Sequence, residues 1–323
     1  MKGSKIWLII ATVLMISGLG LAAVGTANGG SWRFKIKNFK VTTKADNDYV
    51  TKTINYDDSE AFKKIIVDSS TIDINIRKGD GYSVTYFVPE DSIPEISNNN
   101  GVLDINTTED NGFTFFDFTF MDFDDNNPYI TITTPYEDAT DFKVKTSTGD
   151  ITITDLNFEG EVKSSTGDIR ITRGSLGYVD ILTSTGDITV DNIKSVSISA
   201  NTSTGETRLV NSTVSEKLYV DTSTGDVELI DDTLGRFEVE GSTSDVKVNN
   251  SEIGKVKISV STGEVELGLK GDEADYSFDL HSSTGDIRIG KDEYEDNLVR
   301  ERNTDNSVYV HTSTGDIDID FNK

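Results

Sequence analysis

Val144-Lys145-Thr146-Ser147-Thr148-Gly149-Asp150-Ile151-Thr152-Ile153 decides the fold, because eight further copies of its centre follow it. The third residue of the phrase Ser-Thr-Gly-Asp falls at Gly149, Gly167, Gly186, Gly205, Gly225, Ser244, Gly263, Gly285 and Gly315, at intervals of 18, 19, 19, 20, 19, 19, 22 and 30 residues. Self-similarity at such a period is the signature of a repeat architecture. Five residues before each turn position stand Val144, Val162, Ile181, Ala200, Val220, Val239, Ile258, Leu280 and Val310. Two and four residues after it stand apolar pairs such as Ile151/Ile153, Ile188/Val190, Val227/Leu229 and Ile317/Ile319. Apolar residues at alternate positions, with Lys, Thr, Asp, Glu and Arg between them, mark strands buried on one face. Each copy therefore reads as strand, tight turn, strand and a looser return through residues such as Leu156, Ile193, Leu234 and Ile253.

A copy of this length cannot enclose a core alone, but copies stacked at about 4.8 Å per layer bury a continuous one. The expected fold is all-β, a parallel β-solenoid of 18–20 residues per coil, right-handed for preference. Three residues past the turn position the later copies carry Arg208, Glu228, Lys247, Glu266, Arg288 and Asp318, alternating in sign. Coils stacked in chain order would set each of these charges between two opposites. Exposed ion pairs contribute only about 0–1 kcal/mol each, so the pattern speaks to register more than to stability.

The turn has a structural explanation. Glycine tolerates positive φ, Ser and Thr hydrogen-bond local backbone, and Asp caps a turn through its carboxylate. It also admits a ligand reading, because the next residue is acidic in every copy: Asp150, Asp168, Asp187, Glu206, Asp226, Asp245, Glu264, Asp286 and Asp316. Stacked, these form a file whose repulsion must be offset by backbone N–H groups or by counterions. Calcium, a hard cation that takes oxygen ligands, is the cofactor such a row would bind, with Asp150, Asp168, Asp187 and Asp226 as its candidate ligands. No other cofactor is expected.

The chain has 323 residues and a net charge of −26. Residues 1–45 hold seven Lys or Arg and no acid, so all 56 acidic residues lie beyond them. Nucleic acid is an unsuitable partner, since phosphate binding needs a basic face. The absence of cysteine excludes disulfides, thiolate metal sites and a cysteine nucleophile. Residues 6–27 carry no charge, with Trp7 and Trp32 near the two ends, and are long enough to cross a hydrocarbon core of about 30 Å. They read as a membrane anchor that leaves the solenoid on the extracytoplasmic side, with a signal peptide cleaved near Ala27 as the alternative.

The expected division is an anchor at 1–30, a juxtamembrane segment at 31–60, a cap with degenerate first coils at 61–140, and a regular solenoid at 141–323. A solvated loop near 291–306 should interrupt the stack. Residues 65–76 read as a coil whose turn glycine is lost, followed by a hairpin turn at Asp80-Gly81. In the cap, Phe113, Phe115, Phe116, Phe118, Phe120 and Phe123 crowd together. Phe116, Phe118 and Phe120 share one strand face, which either plugs the core or contacts a partner or the membrane.

An enzyme is the contrasting class, since solenoids that cleave polysaccharides use clustered carboxylates. Nothing here singles out a catalytic pair. His281 and His311 fall at the same repeat position, where other copies carry Lys145, Leu182, Asn201 or Ser259, and are expected on the surface of adjacent layers. No phosphate-cradling loop or nucleophile elbow is present.

The apolar N-terminal segment, the Asp68-Ser69-Ser70-Thr71 first strand and the serial Ser-Thr-Gly-Asp-Ile turns resemble the bacterial putative-adhesin family of unknown function, which includes LiaG-type membrane proteins of Gram-positive bacteria. The resemblance covers residues 60–323. It implies a non-catalytic β-solenoid on the outer face of the membrane, an adhesion or interaction role toward an unidentified envelope protein or surface ligand, and a link to cell-envelope stress. It supplies no catalytic or binding residues.

Overall fold

The computed structural model describes residues 35–37, 40–42, 49–107, 114–117, 127–135 and 140–322. They fall into two compact units, Met1–Tyr49 with Pro89–Asp91 and Glu109–Asn127, and Val50–Val88 with Ser92–Thr108 and Pro128–Lys323. In the first unit, Lys35–Lys37 pairs antiparallel with Lys40–Thr42 and with Thr114–Asp117, making a three-stranded sheet.

The second unit is the solenoid. Ile151, Ile169, Ile188, Thr207, Val227, Val246 and Val265 lie in successive parallel register, so the apolar positions after the turns form one row. Before the turns, Val144, Val162, Ile181, Ala200, Val220, Val239 and Ile258 form a second row. Both rows are buried throughout. Full burial of each Val or Ile contributes about 1.5–3 kcal/mol, and that sum drives the stacking. Thr207 is the polar exception, and its Oγ1 has no hydrogen-bond partner among the described residues.

A second corner closes each of the first six full coils six residues after the turn position. Asp155, Arg173, Asn192, Asn211, Asp231 and Asn250 hold φ between 49 and 59° in successive layers. Asn and Asp are the non-glycine residues that best tolerate this left-handed conformation. Arg173 instead gains the carboxylate of Asp155 one layer away, at 2.6 Å from Nε to Oδ1. Its guanidinium holds the Asp155 carboxyl below the usual carboxylate range.

At both ends the order of layers departs from the order of the chain. Asn306–Thr314 and Ile317–Asn322 do not add to the outside of the stack. They insert between the layer at 256–270 and the layer at 276–289. The strands Asp292–Tyr294 and Asn297–Arg300 then cover the outer edge of that last layer, pairing antiparallel with Ile287–Ile289 and Tyr276–Ser282. The segment expected as a solvated loop is thus the cover of an open edge. Arg300 and Arg302 reinforce it, with their guanidinium carbons 5.9 and 5.8 Å from the Phe278 ring centre and both bonded to Glu273.

The N-terminal end repeats the device in the opposite chain direction. Lys64–Ser69 and Asp73–Lys78 form the layer below the first full copy, so residues 65–76 do make a degenerate coil. Val102–Thr107 and Tyr129–Thr134 form the layer outside it. Glu95–Asn99 and Tyr82–Pro89 cover that layer antiparallel, and Tyr49–Tyr56 pairs with Tyr82–Pro89 in turn. The hairpin expected at Asp80-Gly81 is therefore split, since Tyr129–Thr134 lies between its two arms.

The insertion also alters the charge row. Its spatial order is Arg208, Glu228, Lys247, Glu266, Asp318, Arg288, which sets two acids side by side where sequence order gave alternation. Each of those acids keeps a cation on its other side, Lys247 at 3.0 Å from Glu266 and Arg288 at 2.6 Å from Asp318.

Candidate interaction face

The nine turns stack into one continuous edge, with Gly315 between Gly263 and Gly285. Close approach, more than φ alone, demands glycine here. A Cβ on Gly167 would lie 2.2 Å from the carbonyl oxygen of Gly149, and one on Gly186 2.2 Å from that of Gly167. In four layers the inward hydroxyl three residues before the turn position donates to the glycine carbonyl of a neighbouring layer, from Ser164 to Gly149 at 3.0 Å, Thr183 to Gly167 at 3.2 Å, Thr202 to Gly186 at 3.4 Å and Ser282 to Gly315 at 2.9 Å, whereas the buried Thr222 Oγ1 has no partner among the described residues. The Ser and Thr at the next two positions are exposed in every copy except at the half-buried Ser165, and run as parallel rows along the edge.

The carboxylates beside these rows have a structural partner. Oδ1 of Asp150 accepts the backbone N–H of Asp168 at 2.8 Å, Asp168 that of Asp187 at 2.8 Å, and Asp187 that of Glu206 at 2.7 Å. Asp226 accepts that of Asp245 at 3.1 Å. The chain begins below the first full copy, where Asp73 accepts the N–H of Asp150. Asp150, Asp168, Asp187 and Asp226, the candidate calcium ligands, are therefore brought into one file with one oxygen of each engaged by backbone. Among the described residues, no group of three or more His, Asp or Glu side chains is placed to hold a metal ion. Burial first, and neighbouring carboxylates second, push the carboxyls of Glu206 and Glu264 up.

A shallow groove of about 340 Å³ lies against Glu206, Asp226, Glu228, Asp245, Glu264 and Glu266. All six belong to the two periodic columns one and three residues past the turn, and Glu228 and Glu266 are paired with Arg208 and Lys247. The groove is a stretch of the repeating edge and contains no separately assembled acid–base pair.

Two departures from the repeat are more local. Where Ser244 replaces the turn glycine, Gly241 replaces the inward Thr or Ser. A Cβ on Gly241 would lie 2.9 Å from Ser244 Oγ, so the serine side chain fills the space that a hydroxyl occupies in the layers with Thr or Ser at this position. The exchange is written in the sequence as Gly-Ser-Thr-Ser for Thr-Ser-Thr-Gly. The second departure is Asp232, fully buried just past the Asp231 corner in a column with Ser212 and Ser251. Its Oδ1 accepts the N–H of Ser212 at 2.7 Å and its Oδ2 that of Ile230 at 3.0 Å. Burial pushes its carboxyl up to about 7 despite those bonds.

Phe116 lies on the strand Thr114–Asp117 of the first unit, paired with the strand that follows the apolar N-terminal segment. Phe118, Phe120 and residues 6–27 lie outside the described residues. Among the described residues, no helix is long and apolar enough to cross a membrane. His281 and His311 are neighbours in adjacent layers, as their shared repeat position predicts.

No curated protein matches the chain. Similar solved structures include a "putative lipid binding protein" from Parabacteroides distasonis, 14% identical over 86% of this chain and 98% of that one, with a TM-score of 0.44. A "putative adhesin" from the same species is 15% identical over 68% and 94%, with a TM-score of 0.39. Another, from Bacteroides fragilis, is 12% identical over 66% and 98%, with a TM-score of 0.36. The family model Toastrack DUF4097 matches residues 62–320, from the first degenerate coil to the inserted last one, and the chain belongs to that family.

Proposed function

We propose that this chain is a non-catalytic, membrane-tethered scaffold whose solenoid presents an adhesion or interaction surface on the extracytoplasmic side, within the response to cell-envelope stress. The observation that carries the reading is the uniform turn edge. Its Ser, Thr and acidic side chains recur in every full copy, and a periodic surface suits contact with an extended partner better than chemistry at one point. Residues 6–27 supply the tether, and pairing of Thr114–Asp117 with Lys35–Lys37 associates the phenylalanine-rich segment with the stretch that follows it.

Crosslinking of the full chain in its native membrane, with recovery of the partners, tests the proposal. The expected result is a membrane-bound chain crosslinked to envelope components, with a changed partner set for Phe118→Ser. A chain that fractionates away from the membrane, or wild-type and variant chains that both recover nothing, would contradict it.

A further inference from the structure

We propose that His281 and His311 form an open binding site for a divalent transition metal of the zinc class. They are the two histidines of the whole sequence, 30 residues apart in the chain, yet the parallel register sets them side by side on the solvent face of the last two layers. Their ring centres lie 4.9 Å apart. Two imidazoles on one tetrahedral zinc, with Zn–N bonds of about 2.0–2.1 Å, have ring centres about 5 Å apart, so the pair stands at chelating distance.

The surroundings suit the same chemistry. Tyr309 Oη is 3.0 Å from Nδ1 of His311, and Ser283 Oγ is 3.4 Å from Nε2 of His281. A hydroxyl that accepts the N–H at one ring nitrogen leaves the opposite nitrogen with its lone pair free for a metal, which is how ligating histidines are commonly oriented. Asp279, paired with Tyr309 two residues before the histidine pair, adds a negative charge to the same exposed face. Only two protein nitrogens are offered, so the remaining coordination positions fall to water. Imidazole favours zinc, copper or nickel over calcium and magnesium, which take oxygen ligands. The site is thus distinct in chemistry and place from the carboxylate file along the turns.

Titration of the tag-free, chelator-treated full chain with zinc chloride, followed by calorimetry, tests the proposal, with calcium chloride as the control. The wild type should bind one zinc per chain and should show no heat from calcium at this site. His281→Asn and His311→Asn should each weaken zinc binding at least tenfold. Asparagine already stands in this column at Asn201, so the folded layers persist, and an unchanged circular dichroism spectrum verifies that. Absence of zinc binding by the wild type, equal binding by the variants, or loss in only one of them would overturn a two-imidazole site.

Discussion

The middle of the solenoid and its two ends are built from the same strands under different rules of succession. Between Gly149 and Gly263 each layer lies on the next layer of the chain, and a residue's neighbour is found by adding one period. At each end the outermost layer is not the first or last coil of the chain. At the C-terminus the chain lays down 276–289, covers its outer edge with 292–300, and returns through 307–322 to fill the gap left beneath. Read backward, the N-terminus does the same with 102–134, 82–99 and 64–78. Exposed strand edges invite pairing with other chains. An antiparallel cover needs a reversal of direction, which a parallel solenoid does not supply on its own. Skipping a layer and returning supplies it, and also places the last strands inside the stack.

The contrast is broken most severely by removing the inserted layer. Truncation before Asn306 takes away Val308, Val310, Ile317 and Ile319, all buried. At about 1.5–3 kcal/mol each, their loss of about 6–12 kcal/mol rivals the whole stability of a typical domain. The truncated chain should therefore lack a cooperative melt by circular dichroism. A melt within a few degrees of wild type would show that 307–322 is an ornament on the edge.

Asp232 tests the middle through pH. Its folded pKa of about 7 lies above the ordinary value of 3.8, so the folded state holds the proton more tightly than the unfolded state. That contribution is fully present below about pH 4, declines as pH rises, and is gone above about pH 7, a change on the order of 4 kcal/mol. Asp232→Ser, which copies Ser212 and Ser251, should flatten this slope in urea unfolding. The variant should be the more stable at pH 8 and no more stable than wild type at pH 4. Parallel slopes would mean that the carboxyl titrates normally.

Two smaller changes sharpen the account of the turn. Gly241→Thr alone should cost about 1–3 kcal/mol by overpacking against Ser244, whereas Gly241→Thr with Ser244→Gly should recover most of it, a coupling readable from a double-mutant cycle. Additive costs would separate the two positions. Thr207→Val, which removes an orphaned buried hydroxyl from the apolar row, should raise stability by about 1 kcal/mol or more, and a loss would point to a partner for Oγ1.

Most of the middle was legible in the sequence because its contacts recur at one interval. Ile151, Ile169 and Ile188 announce a shared row, and His281 and His311 a shared column. The left-handed corner is also written there, as Asp155, Asn192, Asn211, Asp231 and Asn250 six residues after their turn positions, but Asn and Asp are common enough in this chain that the column does not stand out as the glycine turns do. The file of acids was visible, while the acceptance of a neighbouring layer's N–H by aspartate Oδ1 depends on side-chain reach that no sequence pattern states. The ends were legible only in the degenerate coil at 65–76. Glu266 meets Asp318 and Tyr82–Pro89 meets Tyr129–Thr134 across separations that no period supplies, so residues 291–306 read as a loop and the charge row as a perfect alternation.

The order of the last layers is tested most directly by cysteine pairs introduced into this cysteine-free chain. Lys257 and Tyr309 are direct neighbours, whereas Lys257 and Asp279 have the inserted layer between them. Adjacent layers lie about 4.8 Å apart, and a disulfide cannot bridge Cα atoms more than about 7 Å apart. Under mild oxidation Lys257→Cys with Tyr309→Cys should crosslink, and Lys257→Cys with Asp279→Cys should not. The reverse pattern would show that the coils stack in chain order and would contradict the account.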